Sequence, residues 1–367
     1  MNEWFHIENV DTVDSPALII YKERVEQNIR ALIERVGDVS RIRPHVKTHK
    51  MAAVTELLLE AGITKFKCAT IAEAEMLALA GAPDVLLAYQ PVGPKIRRLL
   101  KLVEERMFTQ FSLLVDSPEG AEQIAGVVRT TPFPVGVFVD LNVGMHRTGI
   151  QPEHAMPLIR QVKGEKMFLF RGFHAYDGHI ADADSSLRAK RVEEAFRPVA
   201  ALTQQYTDEF GERPVIIAGG SPTYAIHAAR GNAECSPGTF IFWDENYARM
   251  MPEEPYEHAA LVITRVVSVV NRERITVDLG HKSVASENPQ PRVRFLNAPD
   301  AVPVGHSEEH MVLQVPDASR YHVGDVLYGV PHHICPTVSM YESAAVAEGN
   351  EVTGRWAVTA RNKRLEH

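Results

Sequence analysis

A chain of 367 residues exceeds what one hydrophobic core ordinarily organises, so two domains are expected, and its 45% hydrophobic and 23% charged content are those of a globular protein in water. A formal net charge of −8 argues against a nucleic-acid binder, which needs clustered Lys and Arg against phosphates. No apolar run has transmembrane length, Met1-Asn2-Glu3-Trp4 lacks the features of a signal peptide, and Cys68, Cys235 and Cys335 are too few and too scattered for a disulfide framework. No membrane partner is therefore expected, and a reducing cytoplasm fits.

The first 20 residues read as an N-terminal segment that either joins a later β domain or leads into the first fold unit. An amphipathic helix, residues 22–36, follows. From there to about residue 250, short apolar β-rich runs alternate with helix-length segments. The strand-like runs are 42–47, 65–70, 84–89, 111–116, 135–141, 169–176, 215–220 and 238–242. The helical stretches between them are 51–61, 71–80, 93–105, 117–128, 152–163, 185–210 and 222–229. Eight such alternations predict a parallel (β/α)8 barrel over residues 21–250, with a doubly wound open sheet as the alternative. Polar residues stand at the ends of many different runs: Lys47, Thr70, Gln90, Asn142, Tyr176 and Gly219-Gly220-Ser221. That distribution is what a barrel mouth requires. After Pro252 the pattern becomes short strands separated by turns, at 259–270, 274–279, 293–296, 310–315, 325–330 and 355–359. Residues 251–364 are therefore expected to form a second, mostly antiparallel β domain, and Leu365-Glu366-His367 reads as the remnant of a tag.

Period-two alternation places Arg41, Arg43, His45 and Lys47 on one face of the first barrel strand. A lysine at a barrel mouth is either a salt-bridge partner or a Schiff-base nucleophile, and burial beside other cations such as Arg43 and Lys50 would favour the second. Residues 215–223 read as a strand, a glycine-rich turn and a helix start. Gly219 and Gly220 allow close backbone approach, while Ser221 and Thr223 offer hydroxyls, a combination suited to a phosphate or to an ordinary capped helix. Ser236–Thr239 could complete such a cradle.

These segments resemble those of the D-threonine aldolase and D-serine dehydratase family, pyridoxal-phosphate (PLP) enzymes with an alanine racemase-like barrel. Arg43-Pro44-His45-Val46-Lys47-Thr48-His49-Lys50 is similar to the family's cofactor-lysine motif, and Asp140–Gly149 resembles its arginine segment. His174–His179 looks like its Tyr-x-Gly-His element, and Gly219–Thr223 like its phosphate loop. Ser307–His310 and Pro331–Thr337 resemble two further signatures. The resemblance covers nearly the whole chain. It implies that Lys47 holds PLP, with Gln90, Arg147, Tyr176, Gly219, Gly220, Ser221 and Thr223 as cofactor contacts. It also implies a divalent metal at His333 and Cys335, where residues i and i+2 of an extended segment would share a face. Two protein ligands leave positions open, as a catalytic metal requires, and a cysteine ligand favours zinc, with manganese as the alternative.

The implied reaction is lyase chemistry on a small D-3-hydroxy amino acid by a homodimer. Retro-aldol cleavage to glycine and an aldehyde stands first. Dehydration of D-serine or 3-hydroxy-D-aspartate stands beside it, favoured by cysteine in the metal pair. A non-catalytic PLP-binding regulator is the reading of another class, against which the long second domain argues.

Overall fold

The structure, a computed structural model, describes residues 3–366; Met1, Asn2 and His367, on which parts of the terminal-segment and tag expectations fall, lie outside it. After a 3-10 turn at Val10–Thr12 come the first strand, Ala17–Tyr21 (β1), and the first helix, Lys22–Val36 (α1). A βα alternation follows: Ala52–Glu60 (α2), Lys65–Cys68 (β2), Ile71–Leu79 (α3), Asp84–Leu87 (β3), Pro94–Glu105 (α4), Gln110–Val115 (β4) and Pro118–Val128 (α5). It continues through Val135–Asp140 (β5), Ala155–Gly164 (α6), Phe168–Ala175 (β6), Ser185–Phe210 (α7), Val215–Ala218 (β7), Tyr224–Arg230 (α8) and Glu234–Cys235 (β8). The described residues form two compact units. One contains residues 32–47, 52–238 and 362–366; the other contains residues 3–31, 48–51 and 239–361.

The first unit is a parallel barrel. Strands β2 to β8 pair in chain order, each parallel to the next. The segment 42–46 closes the ring: Ile42 bridges Cys235 of β8, and His45 bridges Lys67 of β2. Arg43 N–H donates to the Cys235 carbonyl, and Lys67 N–H to that of Pro44. Helix starts follow the sequence closely. Thr70 and Ser117 cap α3 and α5 through their side-chain oxygens, Asp184 caps α7, and Gly211 ends α7 in the left-handed conformation.

Two expected strands are not strands. The run 42–47 makes only isolated bridges, because Pro44 has no N–H to give a ladder, and the chain then tightens into a 3-10 turn, Val46–Thr48, which carries Lys47. The run 238–242 is also a turn, with Thr239–Ile241 as a 3-10 helix and Phe240, Ile241 and Phe242 buried in the core. The eighth strand is the two-residue β8, ended by Pro237, whose carbonyl accepts from His45 N–H.

The second unit adds a short helix, Glu245–Met250 (α9), and the strands Ala260–Asn271 (β9), Arg274–Val277 (β10), Val293–Phe295 (β11), Val302–His306 (β12) and Met311–Gln314 (β13). Val326–Pro331 (β14), the helix Ile334–Val338 (α10), Ser343–Glu348 (β15) and Glu351–Ala357 (β16) complete it. Its sheet runs β12-β13-β10-β9-β1-β15-β16, with β14 joining β9 to β11. All pairings are antiparallel except β1 with β15. The N-terminal strand thus belongs to this sheet. Strands β12 and β15 were not read from the sequence. Segment 331–337, expected to be extended, is a strand end followed by helix: His333 stands at the N-cap position of α10, without a side-chain cap, and Cys335 lies inside it. Pro336 is tolerated because it falls in the helix's first turn, where its missing N–H breaks no intrahelical bond.

Candidate active site

In the barrel unit, the strand ends gather a cluster of polar side chains. A cleft there is lined by Asp140, Asn142, Arg147, Thr148, His174 and Tyr176, among others. The Arg147 guanidinium lies 5.2 Å from the centroid of the Tyr176 ring, within cation–π range. The ring also packs on the glycine turn: a Cβ on Gly220 would fall 3.0 Å from its edge carbon. Gly219 has φ +75°, and a Cβ there would fall 2.7 Å from Tyr224 Cα, so the turn admits only glycine without movement. Arg147, Tyr176 and Gly219–Ser221 therefore form one continuous surface.

Lys47 is half-buried in its 3-10 turn, where its N–H donates to His45 Nδ1 at 3.3 Å. Its charge is felt by Lys67, the residue that sequence reasoning missed. Lys67 is 2% exposed; burial first, and the Lys47 charge second, pull its amine down to about 7. Lys67 Nζ lies 3.2 Å from His174 Nε2 and 5.2 Å from the Tyr176 ring centroid. His174 Nδ1–H donates to Asp140 Oδ1 at 2.6 Å, and Thr148 Oγ1–H donates to Asp140 Oδ2 at 2.8 Å. Burial, and then the Lys67 charge, hold the His174 imidazole below its ordinary range. The signal for Lys67 was available: a lysine inside a parallel barrel strand, where near-continuous apolar residues are the rule.

Two expected cofactor contacts point elsewhere. Gln90 Oε1 accepts from the Asp116 N–H at 3.0 Å and packs against Gly120, bracing the start of α5. Thr223 is fully buried, and its hydroxyl donates to Asp177 Oδ1 at 2.8 Å. Asp177 also meets His227 Nε2 at 2.8 Å, so the Asp177–His227 pair pins the turn from behind. The expected arginine segment is held by Asn142, whose Oδ1 accepts from the N–H groups of Gly144 and His146. Arg43, expected near Lys47, is 1% exposed and locked between Asp84 and Glu234 at 2.7 Å from each. A buried cation with both partners in place costs far less than an unpaired one, so Arg43 reads as barrel structure.

In the β unit, His333 and Cys335 interact at the start of α10, Cys335 favouring the charged form of the imidazole. The Glu287 carboxylate accepts from His333 Nδ1–H, and Thr48 Oγ1 lies 3.2 Å from Cys335 Sγ. Burial works against a charge on His333, yet Cys335, Glu287 and Asp244 outweigh it and push the imidazole up to about 9. Asp244 is pushed up to about 6 by burial, and its Oδ2 accepts from the Ile334 N–H at the start of α10. A soft thiol beside an imidazole whose other nitrogen is fixed by a carboxylate suits a transition-metal ion. Among the described residues no group of three or more His, Cys, Asp or Glu side chains is arranged to hold an ion.

The alanine racemase N-terminal domain family matches residues 20–246, and the putative serine dehydratase domain matches residues 259–347. The chain belongs to this two-domain family. It is 27% identical to a D-threonine aldolase from Arthrobacter sp. over 95% of this chain and 93% of that one. It is 26% identical to a D-threo-3-hydroxyaspartate dehydratase from Delftia sp., over 93% and 97% respectively. The crystal structure of D-threonine aldolase from Filomicrobium marinum superposes with a TM-score of 0.90 at 26% identity, covering 98% of this chain and 99% of that one. The family is PLP-dependent, and the protein is a lyase of the aldolase and dehydratase group. No helix among the described residues is long and apolar enough to cross a membrane.

Proposed function

We propose that the protein is a PLP- and divalent-metal-dependent lyase acting on D-3-hydroxy amino acids, with D-threonine aldolase-type cleavage as its reaction. The observation that carries this reading is the presence of two functional clusters in one chain: the Tyr176–Arg147–Gly220 surface, suited to an anionic, flat cofactor, and the His333–Cys335 pair, suited to a metal.

When bound, PLP supplies an electron sink for negative charge developing at the substrate's α-carbon. The metal, zinc by the softness of Cys335 and with manganese as the alternative, polarises an oxygen of the substrate. The rest falls to side chains. Lys47 Nζ would hold the cofactor and could serve as a base. Backbone groups of Gly219, Gly220 and Ser221 receive the phosphate, and the Asp177–His227 pair holds that turn in shape. Tyr176 and Arg147 frame the ring. His333 and Cys335 hold the metal, with Glu287 fixing the imidazole's tautomer. Gln90 and Thr223 act behind this surface, through Asp116 and Asp177. The reading carries with it a homodimer working in the cytoplasm on a small D-amino acid.

Dehydration is the second reading, and the observation favouring it is Cys335, since a thiol in the metal pair is the pattern expected of the dehydratases. Supplying D-threonine and D-serine with added zinc or manganese separates the two. Acetaldehyde plus glycine supports the aldolase, and pyruvate plus ammonia the dehydratase. Silence toward both, and toward 3-hydroxy-D-aspartate, overturns the proposal.

A further inference from the structure

Cys335 stands in the first turn of α10 and is half-buried. Two threonines from distant parts of the chain turn toward its sulfur. Thr48 ends the 3-10 turn Val46–Thr48, and its Oγ1 lies 3.2 Å from Cys335 Sγ. Thr239 opens the 3-10 turn Thr239–Ile241, and its Oγ1 lies 3.8 Å from the same atom. All three residues belong to the β unit. Thr48 is fully buried and Thr239 nearly so, which leaves water little part in satisfying either hydroxyl.

Thr48 is the more telling of the two. A threonine in a helical turn ordinarily returns its hydroxyl to a backbone carbonyl three or four residues earlier. Thr48 makes no such bond: among the described residues its hydroxyl meets Cys335, 287 positions further along the chain. A branched side chain has little rotamer freedom, so the direction is built in.

The state of the sulfur decides which atom donates. A neutral thiol is a weak donor and a weak acceptor, a poor partner for a buried hydroxyl. A thiol that ligates a metal has lost its proton, so it can only accept, and its charge strengthens the bonds it receives. The threonine hydroxyls then donate. Each such bond draws electron density from the sulfur and leaves less of it for the metal. Glu287 does the reverse for His333, since an acceptor at Nδ1–H makes the imidazole the stronger ligand.

We propose that Thr48 is a positioning residue whose hydroxyl donates to the Cys335 thiolate, with Thr239 as the weaker second donor, and so preserves the electrophilicity of a metal held there. A thiolate is an electron-rich ligand and by itself blunts the polarisation of a substrate oxygen; the two hydroxyls offset that. The inference rests on the reading of Cys335 as a metal ligand.

The test loads the full chain with cobalt(II). The thiolate-to-cobalt charge-transfer absorption reports the electron density on the sulfur with no substrate present. Thr48→Val keeps the branched shape and removes the hydroxyl; Thr48→Ser keeps the hydroxyl. The band is expected to move to longer wavelength in Thr48→Val, because a thiolate without its donor releases electrons at lower energy. In Thr48→Ser it should stay with the wild type. Thr239→Val should move it in the same direction by less, since that contact is longer. A band at the wild-type wavelength in Thr48→Val overturns the proposal. An equal shift in Thr48→Ser overturns it as well, because packing of the methyl group would then govern the sulfur. A wild type without a charge-transfer band, or a band that persists in Cys335→Ala, refutes Cys335 as a ligand and takes the inference with it. Melting transitions verify that the variants fold. If Thr48→Val does not, Thr48→Ala against Thr48→Ser makes the same comparison.

Discussion

Replacing Gly219 by alanine separates the glycine turn's role in binding from its role in folding. Gly219 has φ +75°, so an alanine pays the left-handed penalty of about 1–2 kcal/mol. Its Cβ would also fall 2.7 Å from Tyr224 Cα and 3.1 Å from Tyr224 N, both backbone atoms that no rotamer change can move. Ordinary carbon contacts lie near 3.5–4.0 Å, so the turn or the start of α8 must move by about 1 Å. Overpacking of this kind costs about 1–3 kcal/mol more. Gly211 is the control: φ is +73°, yet nothing lies within 4 Å of its added Cβ, so Gly211→Ala pays the conformational penalty alone. At roughly 2–4 °C per kcal/mol for a unit of this size, Gly211→Ala should lower the melting temperature by about 2–8 °C and Gly219→Ala by about 4–20 °C. The distinguishing assay is PLP titration by absorbance. Gly219→Ala should weaken binding by about tenfold or more, a change of roughly 1.4 kcal/mol, while Gly211→Ala leaves it unchanged. Equal melting temperatures and equal PLP affinities for the two variants would refute the argument that the turn is shaped for a bound group.

Lys47→Ala should abolish the yellow absorbance that borohydride removes from the loaded wild type; retention of that band disproves the assignment. Cys335→Ala should carry less zinc or manganese by elemental analysis, and Glu287→Ala should weaken metal binding by about 10- to 100-fold, because His333 loses the acceptor that fixes its Nδ1 proton; metal content equal to wild type in Cys335→Ala sinks the site. Asp177→Ala strips a fully buried pair and should cost about 3–5 kcal/mol in denaturant unfolding. Burial alone would raise the Asp177 carboxyl, but His227 and Thr223 hold it below the ordinary carboxylate range. A depressed folded-state value means the pair's contribution is present above about pH 4 and is lost as pH falls through that lower value. The stability difference between wild type and Asp177→Ala should therefore narrow on acidification below pH 4, and a difference that widens there contradicts the sign.

The barrel was legible where amphipathic periodicity had room to develop. Helix α1 and the 26-residue α7 fall on the residues read from the sequence, and capping residues such as Thr70, Ser117 and Asp184 mark their helix starts directly. Legibility failed where proline intervened. Residues 42–47 and 238–242 have strand-like composition, but Pro44 and Pro237 withhold ladder donors, and the chain turns within a few residues. In the β unit, Ser343–Glu348 was invisible because its alanines have little intrinsic strand preference; its place between β1 and β16 makes it a strand. Val302–His306 was hidden by its own Pro303 and Gly305, tolerated because β12 is an edge strand with an irregular register.

The candidate site divides along the same physical line. Lys47, Arg147 and the glycine turn stand in short motifs, and it is the resemblance of those motifs to a family's segments that points to them. Residues that act from beneath are set by three-dimensional neighbours. Thr223 looked like a phosphate hydroxyl because serine and threonine after a glycine turn commonly serve that way; Asp177, 46 positions earlier, accepts its hydrogen bond instead. His333 and Cys335 were expected to converge because alternate residues of a strand share a face, yet they interact from the N-cap position and the first turn of a helix. Their pairing thus rests on α10 being held in place, and the Asp244 carboxylate accepting the Ile334 N–H is the contact that fixes its first turn. A carboxylate placed there also meets the partial positive charge of the unpaired N–H groups at a helix start, which offsets part of the burial cost that pushes its own value up to about 6. Asp244→Asn should leave that turn intact, whereas Asp244→Leu, of similar bulk but without an acceptor, should leave the Ile334 N–H buried and unsatisfied. The second variant alone is expected to lose metal, and equal losses from both would mean that charge, rather than the hydrogen bond, sets the geometry of the pair.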